Sequence, residues 1–453
     1  MTSTSSISPL FTNPSDFKKG EIKTLANLRA HLKVAARVEM CTIPLYLYSA
    51  YSIKTKGYSQ WSPGIGAFRT ILGIAIEEML HLCLARNLLI AVGGDITFCA
   101  ADFIPEYPGV LPHHQGRLEL HLERLSKDLV EKTFMPLELP EPRLMVSGEE
   151  EEHVEDYGTL GEFYRRIKEG FKLLDKKKEI DWSKCRKEFQ YHRAYWNQNG
   201  GGTTLLVTDL DSALKALDTI IDQGEGADPE KGTVPRNPAN PQPGLEEYTH
   251  FEKFKRIAAY IEGIGVVDGT REQKVKGGPE VPIVNIDSTL AVAVLARDPH
   301  VGDKYVQDSV RLRALMTLFN AAFTYTLALL DELYSRKVDD LRTDFTSRRY
   351  HLERTFIASM QGVLYPIADL LTRTPTGRTR MINGKEEPEY AGPAFEYYQY
   401  GVGIYGGTAM HAELVDLCRQ AMTYFPQLGG EDGVQRQIGL LPELTPVGAA
   451  VLV

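Results

Sequence analysis

Two copies of the pattern Glu-x-x-His, Glu78 to His81 and Glu247 to His250, each lie in a stretch whose apolar residues recur at three- and four-residue steps. Residues three apart on a helix differ by about 60° in azimuth, so both side chains of a pair leave the same face. On an apolar face a carboxylate without a partner costs several kcal/mol, and the pattern therefore implies a compensating cation. Glu39 lies one helix upstream of the first pair, and Glu162 lies between the pairs. The order Glu, ExxH, Glu, ExxH is that of a four-helix carboxylate bundle around two metal ions.

The rest of the chain reads as all-α. Residues 1–20, rich in Ser, Thr, Pro and Asn, are expected to form a flexible arm; 21–265 a metal-binding bundle; and 280–430 a helical C-terminal region packed on the bundle. Within the bundle the periodicity predicts helices over about 21–53, 67–92, 159–174, 209–222 and 245–263. Gly93-Gly94 ends the second of these. The Pro-rich 95–155 is a long crossover, helical near 117–132, and 224–244 is a loop. Pro44 is expected to disturb the first helix and release the Met40 carbonyl near the site, and Pro366 to kink or break a helix over about 345–373.

Two ExxH pairs and two single Glu offer four carboxylates and two imidazoles, a hard donor set suited to iron or manganese. Glu78 is preferred over Glu77 because only Glu78 has His three residues later. Glu162 stands to one side of the apolar line Leu160, Phe163, Ile167 and Phe171, which leaves Glu155 or a solvated Glu162 as alternatives. Glu225, in the loop before the last bundle helix, is a candidate additional ligand, and His31 reads as a helix-flank histidine. No catalytic group beyond the metal ligands stands out.

The net charge of -9 disfavours a nucleic-acid partner. Five scattered cysteines suggest reduced thiols, and the first residues lack the charged-then-apolar order of a secretory signal. With no run of 18 apolar residues, the expectation is a cytoplasmic protein without a membrane partner.

The runs ARVEMCTIPLYLYSAYSI, AIEEMLHLCLARNLLIAVGG, TLGEFYRRI, ALDTIIDQGEG and EEYTHFEKF, with GVLYPIADLLTRTPTG and AGPAFEYY further on, resemble the ferritin-like domain of iminophenyl-pyruvate dimer synthases. Those enzymes belong to violacein and rebeccamycin type pathways, and stand-alone relatives share the domain. The resemblance runs from about residue 25 to about 400. It implies a ferritin-like bundle with ligands Glu39, Glu78, His81, Glu162, Glu247 and His250; in the expected mechanism Glu39 and Glu162 are terminal ligands and Glu78 and Glu247 bridging ones. It favours Glu162 because GEFY matches the family's third-helix motif.

The expected function is a dinuclear non-haem iron oxidase or oxygenase. Its cofactor is two iron ions, with manganese or a mixed pair as the alternative. Its partners are dioxygen and a small amino-acid-derived or aromatic metabolite, with a homodimer as the candidate assembly. The other readings are a condensation enzyme like the dimer synthases, iron handling without an organic substrate, and a metal-free scaffold.

Overall fold

The computed structural model describes residues 9–54, 65–111, 118–139, 157, 159–191, 204–224, 232–236, 241, 244, 246–263, 272–273, 281–282, 291–334, 348–401 and 409–444. The chain divides into two compact units. One comprises residues 1–96, 105–121 and 125–292; the other 97–104, 122–124 and 293–453.

The first unit is built on two long helices, α1 (Leu25–Tyr51) and α2 (Ile65–Ala91), packed along each other. Thr24 caps α1, its side chain accepting from the Asn27 backbone N–H. Arg29, Lys33 and Arg37, at four-residue steps, keep one side of the early turns partly open to solvent; from Val38 to Ala50 every residue is buried. The amphipathic helix read from sequence is thus buried all round where it passes through the core, with Glu39, Thr42 and Ser49 among the enclosed residues. Pro44 does not break it. The ring removes one donor from the ladder, and nearby carbonyls find partners from side chains: Thr42 Oγ1 donates to the Glu39 oxygen at 2.8 Å and the Tyr107 hydroxyl to the Cys41 oxygen at 2.5 Å.

The crossover departs from expectation. At the start of the segment read as helix 117–132 lies a strand, β2 (Glu119–Leu120), paired antiparallel with the preceding β1 (Gly109–Val110). Helix begins only at α3 (Lys127–Leu129), capped by Ser126, passes through a π-helical turn (Val130–Phe134) and ends as α4 (Met135–Leu137). At Pro136 an α-helix would set the proline ring against the carbonyl of Lys132; the π turn contains Lys132 and opens the ladder there.

Next come α5 (Leu160–Lys176), against α1, and α6 (Leu210–Gly224), against α5 and α2. An antiparallel pair, β3 (Thr233–Pro235) and β4 (Glu246–Tyr248), leads into α7 (His250–Gly263), which packs on α2 and the π turn. A small pair, β5 (Glu272–Gln273) and β6 (Val281–Pro282), follows. Where a flexible arm is expected, Pro9 bridges Val110 and both Leu10 and Phe11 are buried.

The second unit contains α8 (Lys304–Gln307) and is centred on α9 (Val310–Tyr334), which packs against α10 (Arg348–Ser359), α11 (Tyr365–Leu371) and α12 (Ala409–Met422), followed by α13 (Val434–Gly439). By length and composition α9 would also suit a membrane crossing; 89% of its most apolar window is buried inside the protein. A second π turn, Met360–Leu364, immediately precedes Tyr365-Pro366, so the expected break becomes a widened turn. The helical C-terminal region also holds a long hairpin, β7 (Pro375–Ile382) and β8 (Lys385–Tyr390), turned at Asn383-Gly384 with φ of 50° and 77°. Asn-Gly is the signal for such a turn.

Candidate metal centre

Four side chains singled out in the sequence meet in the first unit. Glu39 from α1, Glu78 and His81 from α2 and His250 from the first turn of α7 are all less than 5% exposed. A fifth, Glu138, joins them from just beyond α4. Their donor atoms form two overlapping groups, Glu39–Glu78–His81 and Glu78–Glu138–His250, each with all atoms within 4.8 Å of one another. Glu78 is common to both, the arrangement that one carboxylate bridging two cations requires.

The imidazoles face inward through Nδ1. His81 Nδ1 is 3.5 Å from both Glu39 Oε2 and Glu78 Oε2. His250 Nδ1 lies 2.8 Å from Glu78 Oε1 and 3.6 Å from Glu138 Oε2. The outward nitrogens are tied back: His81 Nε2 lies 3.0 Å from Gln223 Oε1 on α6, and His250 Nε2 lies 2.8 Å from Glu77 Oε2. Donation through each outward N–H fixes the tautomer and leaves an inward lone pair for a ligand. The carboxylates are held in turn. Tyr164 donates to Glu39 and Tyr46 to Glu138 at 2.5 Å, while the single Thr42 hydroxyl proton is shared between the Glu39 carbonyl at 2.8 Å and Glu78 at 3.1 Å. Burial, reinforced by Glu138 beside Tyr46 and Glu39 beside Tyr164, raises both phenols far above their usual range, so they stay protonated and donate.

This donor set fits a pair of cations. His250 Nδ1 is buried and makes no hydrogen bond although a carboxylate oxygen is only 2.8 Å away. A lone pair set against a lone pair at that distance is repulsive, and a cation on that side turns both into ligands. In a cation-free centre protons do the same work. Burial favours neutral imidazole, but Glu39 and Glu78 outweigh it and push His81 up to about 10. For His250 too burial opposes the charge, and Glu138 and Glu78 still drive the pKa well above the usual range. Burial, with Glu78 beside it, pushes Glu39 up to about 8.

Glu247 and Glu162 do not join either group among the described residues. Helix α7 starts at His250, not at 245. Thr249 Oγ1 accepts from the Glu252 backbone N–H at 3.2 Å, a cap whose sequence signature, Thr249-x-x-Glu252, is visible in the chain. Glu247 therefore lies in β4, opposite Val234, and the three-residue spacing no longer aligns it with His250. It sits 3.6 Å from Lys253 Nζ, with Oε1 buried and unpaired; burial and then Glu77 raise its pKa.

Glu162 occupies the same capping position in α5. Its backbone N–H donates to Thr159 Oγ1 at 3.1 Å, and its carboxylate lies 3.7 Å from Arg166. A carboxylate in the first turn complements the helix N-terminus, and Tyr164 supplies the link to the centre instead. Glu225 lies outside the described residues, as does Glu155.

Glu77, passed over for lack of a His three residues on, forms the outer support. Its Oε2 accepts from Lys253 Nζ at 2.7 Å as well as from His250. Burial opposes its ionisation, but the Lys253 ammonium and His250 outweigh it and hold the carboxyl down at about 2. His31, read as a flank residue, is fully buried: Nδ1 donates to the Asn27 carbonyl at 2.8 Å, and Nε2 accepts from the Tyr157 hydroxyl at 2.7 Å.

Residues 32–259 match the ferritin-like family profile. The chain is 29% identical over 423 residues to the dichlorochromopyrrolate synthase of Lentzea aerocolonigenes, covering 84% of this chain and 37% of that protein. It is 26% identical over 416 residues to the 2-imino-3-(indol-3-yl)propanoate dimerase of Chromobacterium violaceum, covering 84% and 36%. These two relatives agree with the resemblance drawn from the motifs, and the chain spans just over a third of their length. A solved ferritin-like protein from Caulobacter vibrioides is 21% identical, with a TM-score of 0.45, covering 77% of this chain and 96% of that one.

Proposed function

We propose that this chain, which belongs to the ferritin-like family, holds two metal ions and works as an oxidative enzyme on a small organic metabolite. The observation that carries the reading is the pair of buried donor groups sharing Glu78, with His250 Nδ1 left without a hydrogen bond. Glu39, Glu78 and His81 would hold one ion, and Glu78, Glu138 and His250 the other. Three carboxylates and two imidazoles suit iron, with manganese or a mixed pair as the alternative. The chemistry such a pair supplies is electron exchange with dioxygen at a site screened from bulk water.

The protein's own groups do the rest. Tyr46 and Tyr164 keep their protons and donate to Glu138 and Glu39, which orients one oxygen of each carboxylate away from the centre. Gln223 and Glu77 fix the imidazole tautomers. The core packing of α1 and α2 excludes water around the donors.

The deciding experiment is metal analysis of the full chain purified without added metal, with the optical spectrum taken as dioxygen meets the ferrous form. About two irons per chain and an oxygen-dependent transient band support the reading; a chain that binds no metal defeats it.

The name of one relative, a 2-imino-3-(indol-3-yl)propanoate dimerase, favours a second reading, the joining of two imino-acid molecules. Mass spectrometry after the chain is offered 2-imino-3-(indol-3-yl)propanoate separates the two: a coupled product supports condensation, and an oxidised monomer supports the oxidase. Metal uptake without turnover of any organic substrate would instead favour iron handling.

A further inference from the structure

The two imidazoles framing the centre are backed by different chemistry. His81 rests on the neutral amide oxygen of Gln223, whose Nε2 is buried without a hydrogen-bond partner. His250 rests on the Glu77 carboxylate, itself anchored by Lys253 Nζ at 2.7 Å. A carboxylate accepting from the outward nitrogen draws the N–H proton toward itself and leaves more electron density on the inward nitrogen, making a stronger donor than an amide-backed imidazole. The anchoring adds to this: a ligand held in place loses less freedom when an ion binds. On their inner sides the two halves are closely matched. Glu78 is shared, and each half adds one carboxylate that accepts from a tyrosine hydroxyl. The outward partners are the main chemical difference between them.

We propose that the two cation positions are unequal: Glu77, acting through His250 as a positioning residue, makes the Glu138–His250 position the tighter, and the Glu39–His81 position fills second. This deepens, and rests on, the metal-pair reading above.

The test titrates Mn²⁺ alone into the metal-free full chain, read by calorimetry and by the electron paramagnetic resonance signal of the bound ion. Two steps are expected in the unaltered protein. Glu77→Gln should weaken the first step by roughly 10- to 100-fold and leave the second in place, so that the steps merge. Gln223→Glu should strengthen the second step, a gain that loosened packing does not produce. It carries the test even where Glu77→Gln fails to fold. Unchanged steps in Glu77→Gln, equal weakening of both, or no gain in Gln223→Glu would overturn the inequality. An unaltered chain that takes up no Mn²⁺ would defeat the metal-pair reading itself.

Discussion

The two Glu-x-x-His segments share a spacing and differ in backbone. At Glu78–His81 the helix runs uninterrupted from Ile65 to Ala91, and both side chains reach the centre. At Glu247–His250 the strand β4 ends at Tyr248 and the helix begins at His250, so only the histidine arrives. The missing carboxylate comes instead from Glu138, behind a π turn in a segment without periodicity. A spacing motif thus specifies geometry only when a single element spans all of it.

The sharpest way to break this contrast is to remove the shared carboxylate. Glu78→Ala should abolish binding of both ions, measured as metal per chain after dialysis, whereas Glu247→Gln should retain about two. A retained pair in Glu78→Ala, or loss in Glu247→Gln, would reverse the assignment of the two motifs. Next, Glu138→Gln should lower the stoichiometry to about one ion per chain while Glu162→Gln keeps both, by the same measurement.

Smaller effects concern stability. His31 and His81 lie on neighbouring helices, both buried, yet burial holds His31 neutral, down at about 4, with no carboxylate among the described residues to offset it, whereas Glu39 and Glu78 push His81 up. With the folded value depressed below that of the unfolded chain, the unfolded state binds more protons between about pH 4 and 6.5. The His31 contribution is intact above that window and is lost as pH falls through it, by up to about 3 kcal/mol at the acid end. Denaturant midpoints from pH 7 to 4 should show a slope that His31→Gln flattens. Smallest, Thr249→Ala should cost about 1 kcal/mol through loss of the α7 cap, read from the same unfolding curves.

Much of the centre was legible because α1 and α2 are long, and their periodicity carries Glu39, Glu78 and His81 together. The rest depended on short signals. Thr249-x-x-Glu252 and Thr159-x-x-Glu162 both mark helix starts, and read as caps they move Glu247 off a helix and Glu162 into a first turn. Asn383-Gly384 marks the hairpin in the same manner. Glu77 and Gln223 carry no local signal: each meets its histidine across a long reach of chain, 173 and 142 residues away. Glu138 is hidden for another reason, because a π turn breaks the period on which any helical reading depends.

That turn has a consequence for how the centre is specified. Adding one residue to a helical turn rotates whatever follows by roughly 100° relative to an unbroken α-helix, so Glu138 owes its bearing to the Val130–Phe134 turn as much as to its own identity. Chain length in this stretch is itself a coordinate of the centre: a sequence with the same side chains but one residue fewer there would aim a different atom inward.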